Sequence, residues 1–203
     1  MSFESMRVLD DKNMLGDIEG LGRHWRQATE IAEGAPLSDD LRGARQIVWA
    51  GMGGSAIGGD LLAATVGDEL GIPVIPNRSY DLPAFVGPET LVIAASYSGN
   101  TEETLSCVQQ AQAAGAKVFC VTTGGSLKDV CVEQGLQHIV IPTGIQPRCG
   151  VLYLFTPVLT ALARLGYLSQ DKLRQDGEET ATMLLSLADA YAREDGQAYQ
   201  LAK

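Results

Sequence analysis

The sequence has no run of basic residues, no long uncharged apolar stretch and no secretory signal pattern at its N-terminus. Its 25 acidic residues outnumber 15 basic ones, for a formal net charge of −10. Nucleic-acid surfaces usually carry a basic patch, so we expect no nucleic-acid partner. The most apolar segment, residues 151–168, contains Pro157 and Arg164. A membrane span needs roughly 20 nearly uncharged residues, so we expect a buried or interface helix and no membrane association.

Cysteine and histidine are scarce and poorly spaced for metal binding. The four cysteines, Cys107, Cys120, Cys131 and Cys149, form no CxxC pair and have no histidine at ligand spacing. We therefore expect free thiols in a reducing cytoplasm, with no metal. Cys149 follows Arg148, and an adjacent cation can lower the pKa of a thiol. That neighbour makes a reactive thiol at Cys149 the alternative interpretation.

Apolar spacing changes along the chain from helical to strand-like. Apolar residues recur every three or four positions over residues 13–32, which predicts an amphipathic helix. Short apolar runs follow at residues 46–50, 72–76, 90–95, 117–123 and 138–142. Further helical patterns cover residues 102–114, 127–134, 151–165 and 173–193. This alternation predicts a three-layer α-β-α sandwich with a five-stranded parallel sheet in the flavodoxin-like order 2-1-3-4-5.

Two loops rich in glycine and hydroxyl groups follow the first and third predicted strands. Residues 51–55 read GMGGS, and residues 96–101 read SYSGNT. In the order 2-1-3-4-5 these loops flank the crevice where ligands bind. Each leads into a helix N-terminus, whose N–H groups and positive dipole end favour an anion. The sequence therefore predicts a site for a phosphate monoester.

Sequence patterns suggest three other interpretations of these loops. Residues 51–56 also fit the G-x-G-x-x-A dinucleotide pattern, but no acidic residue follows the second strand, where Arg78 stands instead. An arginine there would suit a nicotinamide cofactor with a 2′-phosphate. A P-loop would require a lysine, which is missing. The simplest alternative is a pair of glycine turns with serine helix caps.

The motifs GMGGSAIGGDLL and SYSGNTEETL, with TTGG and a later Pro-Arg pair, resemble the sugar isomerase (SIS) family. More narrowly, the chain resembles the N-terminal half of bifunctional phosphoglucose/phosphomannose isomerases from about residue 13 onward. The resemblance implies interconversion of glucose 6-phosphate and/or mannose 6-phosphate with fructose 6-phosphate through a cis-enediolate. We expect no cofactor.

The resemblance also assigns site residues. The residues implied to bind the sugar phosphate and nearby hydroxyls are Gly54, Ser55, Ser96, Ser98 and Thr101. Arg148 is implied to lie near the reacting end of the sugar, as the one catalytic residue in this chain. Its position after the fifth predicted strand supports this independently, because a guanidinium there could stabilise an enediolate oxygen.

No general base or ring-opening acid can be identified. His24 and His138 fit structural or solvated roles, and acids in a first helical turn, such as Glu102 and Glu103, commonly serve the helix dipole. In the resembling family, the catalytic glutamate and histidine come from a second SIS domain. We therefore expect an N-terminal helical extension (residues 1–40), a SIS phosphosugar-binding domain (41–168) and a helical segment (169–203) leading toward a second SIS domain that is absent.

Two alternatives to the two-domain isomerase remain. A single-domain SIS ketose/aldose phosphate isomerase would complete its site by oligomerising, with Glu102 or Glu103 as base. A non-catalytic phosphosugar sensor would bind without turnover. In the family the active site lies at a dimer interface, so we expect a homodimer, and the apolar segment 151–168 is a candidate surface for it.

Overall fold

The computed structural model describes residues 8–202; residues 1–7 of the predicted extension, and Lys203, lie outside the described residues. The predicted N-terminal helix is present but divided at Gly20, into α1 (Met14–Glu19) and α2 (Leu21–Gly34). The Asp10 carboxylate accepts hydrogen bonds from the first two backbone N–H groups of α1, at 2.8 and 2.7 Å. A side chain from outside the helix thus satisfies donors that the helix itself leaves unpaired.

All five predicted strands are present, within three residues of the expected bounds. They are β1 (Gln46–Ala50), β2 (Val74–Asn77), β3 (Thr90–Ser96), β4 (Lys117–Thr122) and β5 (Gln137–Val140). The sheet is parallel and its order is β2-β1-β3-β4-β5, as predicted. Because parallel strands all end at the same edge, the loops after β1 and β3 lie side by side.

The helices predicted after β1 are present, and a further short helix begins at Gln197. They are α3 (Gly54–Leu70), α4 (Glu102–Ala113), α5 (Gly125–Gln134), α6 (Val151–Arg164), α7 (Gln170–Tyr191) and α8 (Gln197–Ala202). Ser169 caps the start of α7, because its hydroxyl accepts from the N–H of Lys172.

Two hydrophobic clusters form the core, one on each face of the sheet. On one face, α2, α3 and α6 cover Ile47, Trp49 and Ile93. On the other, α4 and α5 cover Val48 and Val92. Successive strand residues therefore point into opposite clusters, and the strand residues on both faces of the sheet are fully buried. This double burial explains why the strands read as continuous apolar runs.

Glycines let α3 lie directly on the sheet. Gly58 and Gly59 are buried against the indole ring of Trp49, and a methyl group on Gly58 would overlap that ring. The Trp49 Nε1–H also donates to the carbonyl oxygen of Ser55 at 2.8 Å. The tryptophan thus sets both the depth of α3 and the position of its first turn.

The apolar helix α6 is buried inside the chain. Every residue from 153 to 163 is buried, because α2, α3 and α7 pack around the helix. The expected burial is confirmed, but the prediction that this segment forms a dimer surface is wrong, since other helices of the same chain already cover it. Within residues 8–202, no helix combines the length and apolarity that a membrane span requires.

Candidate functional site

The loop after β1 brings backbone and hydroxyl donors to the carboxyl edge of the sheet. Gly53, at φ 50° and ψ −124°, precedes the first residue of α3 in a conformation that side chains disfavour. A Cβ atom on the buried Gly51 would lie 3.0 Å from the carbonyl oxygen of Ala95, which is closer than an ordinary contact and favours glycine there. The Ser55 hydroxyl accepts from the backbone N–H of Tyr97 at 3.2 Å, which joins this loop to the next.

The loop after β3 is organised by its own hydroxyl groups. The Ser96 hydroxyl, at the buried end of β3, lies 2.9 Å from Thr101 Oγ1 and accepts from the N–H of Gly99 at 3.0 Å. Ser98 is exposed, and its hydroxyl accepts a longer bond of 3.3 Å from the N–H of Asn100. The two serines therefore differ, because Ser96 holds the loop from inside whereas Ser98 faces solvent.

The hydroxyl groups of these loops do not cap the helices that follow. The N-cap residues of α3 and α4 are Gly53 and Thr101, and neither makes a side-chain cap hydrogen bond. The alternative interpretation is therefore wrong in assigning serine caps to α3 and α4. The first turn of α3 contains no acidic residue, whereas that of α4 contains Glu102 and Glu103. An anion is thus favoured more strongly at the N-terminus of α3.

Arg148 lies beside the start of α3. A methyl group on Gly54 would be 3.5 Å from the carbonyl oxygen of Pro147 and 3.9 Å from the Cα atom of Arg148. The Arg148 side chain is exposed, and within residues 8–202 we find it in no hydrogen bond or ion pair. It is an exposed cation at the same edge as Ser55 and Ser98. The arginine after β2 differs, because Arg78 is paired with Asp60.

The loop after β4 is joined to the loop after β3. The N–H of Leu127 donates to the carbonyl oxygen of Gly99 at 2.8 Å, and the N–H of Ser126 donates to Asn100 Oδ1 at 3.0 Å. A methyl group on Gly99, at φ 71°, would overlap the carbonyl oxygen of Gly124. The TTGG motif and the two residues after it therefore hold the SYSGNT loop in place.

The structure thus brings the sequence-predicted site residues to one edge of the sheet; their contacts with a ligand stay a prediction. Glu102 and Glu103 lie next to them, with Glu102 exposed and accepting from the Tyr80 hydroxyl at 3.3 Å. The histidines lie elsewhere: His24 packs on the ring of Tyr153, with centroids 5.1 Å apart, and His138 lies in β5.

Two residues of the site were missed by the sequence analysis, Tyr97 and Asp17. The Tyr97 hydroxyl accepts from the N–H of Ile145 at 3.2 Å, and Asp17 Oδ2 accepts from the N–H of Gln146 at 2.9 Å. Tyr97 lies within the SYSGNT motif, but nothing in its local sequence gives it a partner near residue 145. Asp17 carried no signal, because its partner is 129 residues away.

The four cysteines are free and buried, as expected. The alternative of a reactive thiol at Cys149 is wrong, although Arg148 does act to lower the pKa of this thiol. Burial raises the pKa of this thiol and the carboxylate of Asp17 raises it further, so the opposing effect of Arg148 is outweighed. Cys149 is therefore not a reactive thiolate.

A cavity lies away from these loops, between α2, α6 and α7. Its volume is about 570 Å³, and its walls include Trp25, Thr156 and Leu173. The charged pair Arg26–Glu178 closes part of its rim. The sheet edge is the stronger candidate for the functional site. Loops of four strands converge there with hydroxyl groups, helix N-termini and Arg148, which is unpaired among residues 8–202.

Comparison with known proteins identifies relatives of this architecture. The chain is 43% identical over 190 residues to the bifunctional phosphoglucose/phosphomannose isomerase of Caldicellulosiruptor bescii, a match covering 94% of this chain and 56% of that protein. It is 35% identical over 142 residues to the D-glucosamine-6-phosphate 4-epimerase of Sulfolobus acidocaldarius, covering 68% of this chain and 44% of the relative. The chain thus spans about half the length of these relatives.

Among solved structures, the C-terminal domain of glucosamine-fructose-6-phosphate aminotransferase from Francisella tularensis shares the fold. Its TM-score is 0.65 at 15% identity, over 88% of this chain and 54% of that one. The SIS domain model matches residues 40–162, which is more than half of the sequence. The match includes all five parallel strands and both hydroxyl-rich loops, and the chain belongs to the SIS domain family.

Proposed function

We propose that this chain binds a hexose 6-phosphate and forms part of an aldose–ketose isomerase. The reaction interconverts glucose 6-phosphate and/or mannose 6-phosphate with fructose 6-phosphate through a cis-enediolate. The observation that carries the proposal is the convergence at one sheet edge of two helix N-termini, the exposed Ser98 hydroxyl and Arg148, which is unpaired among residues 8–202. The 43% identical isomerase of Caldicellulosiruptor bescii supports this substrate class.

The phosphate group binds between the loops after β1 and β3. Backbone N–H groups at the start of α3 donate to its oxygens, and the hydroxyls of Ser55, Ser98 and Thr101 add further donors. Gly54 allows the phosphate to approach the backbone closely. Ser96 supports this site indirectly, because its hydroxyl holds Gly99 and Thr101 in place.

Arg148 acts at the reacting end of the open-chain sugar. Isomerisation removes the proton from C2 of the aldose and returns a proton to C1, while a proton moves from the C2 hydroxyl to the C1 oxygen. Negative charge develops on the oxygens of the enediolate between these steps. A guanidinium fixed beside the crevice stabilises that charge more strongly than it stabilises the neutral sugar, which is the condition for a catalytic effect.

The two interpretations place the base that moves the proton in different parts of the assembly. In the two-domain interpretation it lies in a second SIS domain, and residues 41–168 form the sugar-binding unit between an N-terminal extension (1–40) and a C-terminal segment (169–203). In the single-domain interpretation, Glu102 or Glu103 acts with residues of a partner chain. We retain the two-domain interpretation, with a cytoplasmic homodimer as the assembly and with the dimer surface elsewhere than on α6.

Incubation of the chain with fructose 6-phosphate in D₂O, followed by NMR, tests the reaction. Deuterium entering C1, or aldose phosphate signals, would show that the base lies within this chain or its oligomer. Line broadening of the sugar without exchange would show binding with acid and base elsewhere. Absence of any change would overturn the proposal. A parallel sample with glucosamine 6-phosphate tests for the 4-epimerase activity after which the Sulfolobus acidocaldarius relative is named, since a 4-epimer would then form.

Removal of the hydroxyl groups tests the binding site itself. The double variant Ser96→Ala, Ser98→Ala should abolish thermal stabilisation by fructose 6-phosphate. Ser98→Ala alone should lower the affinity for this sugar about tenfold, because a donor to a charged phosphate is lost. Ser186→Ala, on the exposed side of α7, is the matched control. Unchanged stabilisation of the double variant would exclude this site.

A further inference from the structure

The segment that carries Arg148 is anchored on both sides of this residue. The Tyr97 hydroxyl donates to the carbonyl oxygen of Pro142 at 3.4 Å and accepts from the N–H of Ile145 at 3.2 Å. The Tyr97 ring also contacts Gly150, where an added methyl group would lie 2.8 Å from ring carbon Cε2. One tyrosine therefore fixes the segment at its start, its middle and its end.

Asp17 holds the same segment through a further hydrogen bond. Its Oδ2 atom accepts from the N–H of Gln146 at 2.9 Å, and this carboxylate is half-buried on α1. Burial raises the pKa of Tyr97 and the nearby Asp17 raises it further, which fits two groups that contact the same short segment. A hydrogen bond to a charged acceptor is stronger than one between neutral groups.

Between these anchors the backbone forms a tight turn with Arg148 at its tip. The N–H groups of Cys149 and Gly150 both donate to the carbonyl oxygen of Gln146, at 2.7 and 3.1 Å. The turn exposes Arg148 while its neighbours are held. A flexible arginine loses side-chain entropy when it binds, so a fixed backbone reduces the remaining cost.

We infer that Tyr97 and Asp17 are positioning residues that hold Arg148 at the reacting end of the phosphosugar. The inference rests on the proposed function and extends it to residues of the N-terminal helix and of the SYSGNT loop. Neither residue needs to touch the sugar. Their effect on binding therefore passes through Arg148, and this distinguishes them from the hydroxyl groups that bind phosphate.

Binding of two ligands to the full chain tests this directly. Asp17→Ala should weaken the affinity for fructose 6-phosphate about tenfold and Tyr97→Phe about fivefold, through lost hydrogen bonds. Both should change the affinity for inorganic phosphate less than twofold. Tyr167→Phe is the matched control, because Tyr167 also makes two hydrogen bonds, to Leu41 and Ala44 at the opposite sheet edge. Its affinities should equal those of the wild type.

A double-mutant cycle separates positioning from general support of the fold. In an Arg148→Ala background, Tyr97→Phe and Asp17→Ala should weaken fructose 6-phosphate binding no further. Full additivity, or equal weakening of inorganic phosphate binding, would overturn the inference. So would an Arg148→Ala variant with unchanged affinity for the sugar. If the wild type binds neither ligand, the proposed function fails and the inference with it.

Trypsin cleavage after Arg148 provides a readout that needs no sugar. Asp17→Ala should accelerate this cut about tenfold relative to the cut after Lys128, because the turn opens more often. Asp17→Asn keeps an acceptor oxygen and should restore both the slow cut and the affinity to within twofold of wild type. Equal cleavage rates in Asp17→Ala and wild type would show that Asp17 does not hold the turn.

Discussion

The two edges of the sheet use polar side chains in different ways. At the amino edge they fasten neighbouring segments to the domain: the Tyr167 hydroxyl bridges Leu41 and Ala44, and Gln137 bonds to the backbone of Pro36 and Ser38. These bonds join protein to protein, with both partners satisfied.

At the carboxyl edge, side chains and backbone groups bond from one loop to the next, and several donors remain open. Ser55 is linked to Tyr97 and Asn100 to Ser126, while Ser98 and Arg148 face solvent. Helices begin at this edge, so unpaired N–H groups and positive dipole ends accumulate there. The amino edge therefore joins segments of the domain, whereas the carboxyl edge leaves donors open, as the proposed phosphosugar site requires.

The largest expected effect breaks the carboxyl edge itself. Gly99→Ala should lower the free energy of unfolding by about 3 kcal/mol, because a methyl group would both strain the left-handed backbone and overlap the Gly124 carbonyl oxygen. Gly135→Ala is the matched control: its φ is 65°, and nothing lies within 4 Å of an added methyl group. It should cost only about 1 kcal/mol.

Urea denaturation of both variants measures this difference. Equal losses for Gly99→Ala and Gly135→Ala would mean that the loops after β3 and β4 separate without cost. The close approach of Gly99 to Gly124 would then play no part in the stability of the edge.

The second effect reaches the carboxyl edge through the core. Gly58→Ala should cost about 2 kcal/mol, because overpacking against Trp49 displaces α3, and it should also weaken phosphosugar binding by moving Ser55. Gly67→Ala lies on the same helix with open space around it and should stabilise the chain by up to about 1 kcal/mol. Thermal unfolding with and without fructose 6-phosphate checks both effects. Unchanged ligand affinity in a destabilised Gly58→Ala would separate the core from the site.

The third effect sharpens the contrast from the amino edge. Gln137→Ala should lower stability by about 1 kcal/mol, since Ser38 N–H and Pro36 O lose partners at 2.9 and 2.6 Å, and it should leave ligand affinity unchanged. The exposed Gln109→Ala controls for loss of an amide side chain. A weaker affinity in Gln137→Ala would contradict the division between the edges.

The smallest effect concerns pH. Burial lowers the pKa of His24 below its ordinary value of about 6.5, although the Asp17 carboxylate opposes this. The unfolded chain therefore binds the proton more readily, and stability falls as pH drops through about 6.5 toward the folded pKa. His24→Gln should flatten this part of the stability profile in urea titrations from pH 7.5 to 5. A variant profile parallel to that of the wild type would show that His24 does not contribute.

The fold was predictable because its signals are local. Each strand is buried on both faces and reads as an apolar run, and the order of strands follows from the connections between them. Sequence could also place Ser55, Ser98 and Arg148 at one edge, since each follows a strand of the same sheet. It could not separate Ser96 from Ser98, because alternation through a loop does not show which hydroxyl turns inward.

Other parts of the site depend on contacts between distant segments. Asp17 meets Gln146 only after α1 packs against α2 and α7, and Tyr97 meets Ile145 only after the sheet forms. The burial of α6 was ambiguous for a related reason: an apolar helix fits a core or an interface equally well by composition. Only its neighbours α2, α3 and α7 decide between them.

The hydrogen bonds that join the loops after β3 and β4 would also make ligand binding detectable from a neighbouring helix. Because the carbonyl oxygen of Gly99 accepts from Leu127 and Asn100 accepts from Ser126, a shift at Ser98 is transmitted to the first turn of α5. The backbone amides of Ser126 and Leu127 thus become remote reporters of occupancy. In an NMR titration their resonances would move with a phosphosugar that neither residue touches, and a spectroscopist could follow the crevice from a neighbouring helix.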